Sequence, residues 1–139
     1  MADADSGSAV KRLRLADRLV HWDEQSVLSV DVDCDGRVDS AFVGRSDSAM
    51  YVGVVTNTRI PAEVLRFGLH GNAVQDAVCS DKAKLTVESL DYDPTDAVGA
   101  LAGFQRSRVC RGLNLGEEDC DSIHLYWNHE SHHLDWWRA

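Results

Sequence analysis

No stretch of this chain approaches 18 consecutive apolar residues, which argues against a membrane-spanning helix. No apolar signal-peptide core stands near the start. There is no CxxC, so zinc-ribbon and thioredoxin-type readings fail. GxSxG, the phosphate-binding P-loop and GxGxxG are all missing, as is HExxH; the nearest string runs His129-Glu130-Ser131-His132-His133. Basic residues are scarce too. Fourteen Lys and Arg face 23 Asp and Glu, for a formal charge of −9. Such a surface repels phosphate backbones and anionic lipid, so nucleic acid and membrane insertion are excluded as expectations and a basic protein becomes the favoured partner.

What is present suits one folded domain. The apolar fraction is 44% over 139 residues. A chain of this size can bury roughly two-thirds of its unfolded surface. Residues 1–9 are small and polar and read as a flexible leader, or as what is left when a signal segment is replaced by an initiator Met. Residues 10–139 read as a single globular domain, with no internal repeat and no linker.

Val10, Leu13 and Val20 fall at helical spacing, so a helix is expected within Val10 to Gln25. From Val27 the pattern turns to β. Met50-Tyr-Val-Gly-Val-Val55 reads as a buried strand, and Val64 to Leu69, Lys84 to Glu88 and Arg108 to Leu115 as further strands. Asp91 to Asp96 has the chemistry of a turn, and Ala97 to Phe104 that of a short helix or small-residue loop. The C-terminus is clearest. Ile123, Leu125 and Trp127 alternate with His124, Tyr126 and Asn128; Leu134 and Trp136 alternate with His133, Asp135 and Trp137, which predicts a hairpin turning at 128–132. The expected fold is α+β, mostly antiparallel β: a small single-domain sheet with one or two short helices.

Chemistry concentrates in Asp31-Val-Asp33-Cys-Asp35-Gly36-Arg37-Val-Asp39. Carboxylates at alternate positions of a tight turn converge on one point, and Gly36 permits the turn. Calcium takes six to eight oxygens, and without a cation four Asp in nine residues repel one another. The expected ligands are Asp31, Asp33, Asp35, the Arg37 carbonyl and Asp39. Phe42 stands where an EF-hand needs its bidentate Glu. The string instead resembles the D-x-D-x-D-G-x-x-D calcium loop of the FG-GAP and VCBS (integrin-like) repeats, which links two strands as Val27 to Val55 would. The resemblance covers about 30 residues and implies the same ligand positions. A propeller needs several blades, so the loop alone carries over.

Cys34, Cys79, Cys110 and Cys120 allow two disulfides or four free thiols. Cys110 and Cys120 enclose a short polar loop and suggest a local bridge, which leaves Cys34 with Cys79. Disulfides favour a periplasmic or secreted location. His124, His129, His132 and His133 crowd the hairpin. They read as outer-face residues, with His124 and His133 pairing across strands, rather than as a zinc site. Glu117, Glu118, Asp119 and Asp121 read as a solvated loop. Trp127 and Trp136 should fill the core, leaving Tyr126 and Trp137 as an outward aromatic patch for a partner or a sugar. The functional expectation is a calcium-stabilised, non-enzymatic binding module outside the cytoplasm, whose target could be a basic secreted hydrolase that it inhibits. The alternative is a metal-dependent hydrolase in which His124 or His133 meets Asp91 or Asp121.

Overall fold

The computed structural model describes residues 6–16, 18–56, 62–69, 77–117 and 120–138. Helix α1 (Ser6–Ala16) is followed by β1 (His21–Trp22), a single 3₁₀ turn at Glu24–Ser26, and β2 (Leu28–Val30). Next come β3 (Asp39–Arg45), β4 (Ala49–Val55), β5 (Glu63–Leu69) and β6 (Ala77–Val78). The second half holds β7 (Lys84–Leu90), the short α2 (Thr95–Val98), β8 (Ser107–Glu117), β9 (Cys120–Asn128) and β10 (His133–Trp137).

The strands divide by chain order into two sheets. The first runs β1-β3-β4-β5-β6, with β2 beside β1 along the same edge of β3. All its pairings are antiparallel except β5 with β6. The second is the antiparallel meander β10-β9-β8-β7. The α+β, mostly antiparallel expectation is thus met, with two sheets in place of one.

Period-2 alternation decides what each sheet buries. Val43, Val52, Val54 and Phe67 from the first sheet share one apolar cluster with Leu113, Leu115, Ile123, Leu125, Trp127 and Leu134 from the second. The opposite face of the first sheet packs under α1, where Val10 and Leu13 meet Trp22, Phe42 and Tyr51. Strand β4 is therefore buried along its whole length, which accounts for the unbroken apolar run Met50 to Val55. Gly53 sets the spacing of that layer. A Cβ there would stand 2.6 Å from Leu13 Cδ2 and 2.8 Å from the Trp22 ring.

Three expectations need correction. The helix does not reach Gln25: its buried Val10 and Leu13 match the pattern, but Leu15 and Leu19 are exposed, and His21–Trp22 pairs with Gly44 and Arg45. It also begins at Ser6, inside the stretch read as a leader, and Ala9 is buried. The third concerns the outer face of the second sheet. Residues 91–106 fold back across it, so Leu90, Cys110 and Tyr126 pack with Tyr92, Leu101, Phe104 and Trp137. Tyr126 is only 2% exposed. Its hydroxyl donates to the Ala102 carbonyl at 2.9 Å, so it offers no partner surface.

Candidate cation site

The acidic segment is the connection from β2 to β3. Val32 holds its start in the main core with no exposed surface, and Asp39 opens β3 opposite Val30. Between these fixed points the chain turns through Cys34 (φ 65°) and Gly36 (φ 83°), both left-handed. Only glycine adopts that conformation freely, so Cys34 must be held there.

Two links to the second sheet hold it. Cys34 is bonded to Cys110 on β8, with Cα atoms 5.2 Å apart. The Arg111 amide donates to the Asp31 carbonyl at 3.0 Å. The other bridge joins Cys79 to Cys120. The expected pairing of Cys110 with Cys120 and Cys34 with Cys79 is thus corrected. Cys110 and Cys120 lie on adjacent strands, but the register sets Cys120 opposite Glu117, seven residues along β8 from Cys110. At about 3.3 Å per residue that separation is roughly 23 Å, beyond any disulfide.

The turn feeds its own amides to its carboxylates. Asp31 Oδ2 accepts from Gly36 N at 2.9 Å, and Asp33 Oδ1 from Asp35 N at 3.3 Å. Asp39 Oδ2 accepts from Val32 N at 2.9 Å and Asp33 N at 3.4 Å. The result brings one carboxylate oxygen each of Asp31, Asp33 and Asp39 within 4.8 Å of one another. Asp39 is 1% exposed. Its Oδ1, and Oδ1 of Asp31, are buried and have no hydrogen-bond partner among the described residues.

Asp35 stands apart. Its Oδ1 takes the Arg37 amide at 2.8 Å and its Oδ2 faces the Arg37 guanidinium at 3.7 Å. Of the four expected Asp ligands, three converge and one turns toward its own loop.

The electrostatics match. Burial, then the charges of Asp39 and Asp35, push the Asp33 carboxyl up to about 7. Burial likewise pushes Asp39 up to about 6, against the pull of the Val32 and Asp33 amides. The cluster pays for its proximity in protons, the expected response of desolvated like charges.

The histidines go elsewhere. His124 Nδ1 lies 3.0 Å from Glu88, and His133 Nδ1 lies 3.0 Å from Glu63. The hairpin register pairs His124 with Trp137 and His133 with Asn128, so the expected cross-strand His pair does not form. Asp91 binds Arg106 at 2.8 Å and faces Arg108 at 3.3 Å. Burial lowers the His129 pKa. Glu117 accepts from the Ser80 amide and hydroxyl, while Glu118 and Asp119 lie outside the described residues. Trp137 is half-buried, stacked on the His124 ring at 4.1 Å, and its Nε1 donates to the Tyr92 hydroxyl at 3.2 Å.

No family model matches this chain, and no curated protein or solved structure does either. Sequence reasoning missed the Cys34–Cys110 clamp, although a cysteine among alternating aspartates was a signal that this turn is anchored to something. It also missed Glu88 as the partner of His124, which only the register of β7, β8 and β9 brings together.

Proposed function

We propose that the 31–39 turn is a structural calcium site in a periplasmic or secreted binding module. The carrying observation is the pair of buried, unpartnered carboxylate oxygens on Asp31 and Asp39, grouped with Asp33. A buried anionic oxygen without a donor costs about 1–3 kcal/mol or more, and a divalent cation supplies what the backbone does not. The donors are all hard oxygens in an irregular turn. That suits calcium over zinc, which favours nitrogen and sulfur, and over magnesium, which demands a near-ideal octahedron. The Arg37 carbonyl and water complete the shell in this reading. Two disulfides are compatible with an oxidising compartment. Among the described residues no helix is long and apolar enough to cross a membrane.

The module acts by binding, and its partner is a basic protein, because a net charge of −9 steers cationic surfaces toward it. Calcium titration followed by calorimetry and thermal melting tests the site. Asp33→Ala should abolish the calcium-dependent rise in Tm. Asp93→Ala, at a turn where Asp93 only caps Thr95, should leave it intact. Equal responses from the two variants, or no response from the native chain at millimolar calcium, would overturn the assignment.

A further inference from the structure

The outer face of the second sheet carries a hollow of about 710 Å³ lined by Lys82, Lys84, Thr86, Asn114, Gly116 and Ser122, with Ser80 and Glu117 at one end. Its volume lies within the roughly 300–1,000 Å³ of small-molecule sites. Gly116 is part of that lining. Lys84 pairs with Gly116 across the β7–β8 ladder, and a Cβ on Gly116 would stand 2.7 Å from Asn114 Oδ1 and 2.8 Å from Ser122 Oγ. A side chain at that position would push into Asn114 and Ser122, two of the groups that line the hollow.

The polar groups around it are unevenly committed. Asn114 Nδ2 donates to Glu88 Oε1 at 3.0 Å, and the same carboxylate takes His124 Nδ1. This fixes the amide, so that Asn114 Oδ1 lies against the hollow as an acceptor. The hydroxyls of Thr86 and Ser122 and the ammonium groups of Lys82 and Lys84 have no hydrogen-bond or ion-pair partner among the described residues. Glu117, the one acid in the lining, is occupied by Ser80. Two uncommitted cations in one lining are out of character in a chain with nine more acids than bases.

We propose that this hollow binds an anionic saccharide, a sugar ring bearing a carboxylate. The lysines meet the carboxylate, Thr86 and Ser122 meet ring oxygens, and Asn114 Oδ1 accepts from a sugar hydroxyl. A bare phosphate would use the lysines but would leave that acceptor facing an anion, so the oriented amide selects a ligand with hydroxyl donors of its own. The site is separate from the cation turn and stands or falls independently of it.

The test is titration of the oxidised protein in calcium-free buffer with digalacturonate, with the neutral disaccharide cellobiose, and with inorganic phosphate, read by calorimetry and by amide NMR shifts. Digalacturonate should bind at least tenfold tighter than cellobiose, with shifts centred on Asn114, Gly116 and Ser122. Lys84→Gln should weaken it about tenfold, the loss of one charge-assisted bond. Gly116→Ala should weaken it at least as much while both disulfides form and the amide shifts of residues away from the hollow are unchanged. The proposal is overturned if cellobiose binds equally well, if phosphate binds as tightly as the uronate, or if Lys84→Gln has no effect.

Discussion

Replacing Asp39 by Asn should change the stability of this protein in opposite directions with and without calcium. Asp39 is buried and its Oδ1 has no donor. Its carboxyl is moved from 3.8 to about 6, so holding it ionised at pH 8 costs about 3 kcal/mol at ~1.4 kcal/mol per pH unit. The turn is open to solvent on its Asp35 side, and screening reduces the cost to about 1–2 kcal/mol. An Asn side chain keeps an oxygen for the Val32 amide and removes the charge. In chelator at pH 8 the variant should therefore melt above the native chain, by about 4–8 °C at roughly 4 °C per kcal/mol for a domain of this length. Calcium reverses the order. For a Kd near 10⁻⁴ M, typical of extracellular modules, about 10 mM calcium stabilises the native fold by about 2.7 kcal/mol. The variant has lost a ligand and gains little. The assay is a pair of melting curves for each protein, one in EDTA and one in calcium. Parallel shifts of the two proteins, without the crossover, would refute the reasoning, because a plain acidic turn gives one sign in both buffers.

Three further outcomes follow from the same geometry. In EDTA, stability should fall as pH rises from about 4 to 8: Asp39 and Asp33 hold protons more tightly folded than unfolded, so their contribution is present below the ordinary carboxylate range and is lost through about 6 and about 7; calcium should flatten the curve measured by chemical denaturation. Removing the clamp with Cys34→Ser and Cys110→Ser should weaken calcium binding about tenfold by calorimetry, since the turn must then be ordered on binding, whereas Cys79→Ser and Cys120→Ser should leave affinity near native. Gly53→Ala should destabilise by about 1–3 kcal/mol in urea melts, because its methyl would overlap Leu13 and Trp22 and lift α1 from the sheet.

Much of this fold could be read where the cause is local. The hairpin of β9 and β10 was legible because strict alternation sorts Ile123, Leu125, Trp127, Leu134 and Trp136 to one face, and Asn128 caps the turn through the Glu130 and Ser131 amides. The acidic turn was legible because Gly36 and three converging aspartates lie within nine residues. What escaped depends on residues far apart in the chain. Tyr126 was expected outside because alternation assigns a face and does not say what covers it; residues 92–104 do. The disulfides escaped because loop length favoured near neighbours, while the register of β8 and β9 separates Cys110 from Cys120. Asp35 was counted as a ligand by its spacing, but Arg37 two residues later draws it outward.

The two crosslinks have a consequence for survival under proteolysis. Each joins the half of the chain that builds the first sheet to the half that builds the second, across 76 and 41 residues. A protease that cut the exposed Asp81–Lys82 corner between the halves would leave two fragments still fastened at two points. The cleaved product would run as one species until reduced, and the hydrophobic seam between its sheets would stay shut.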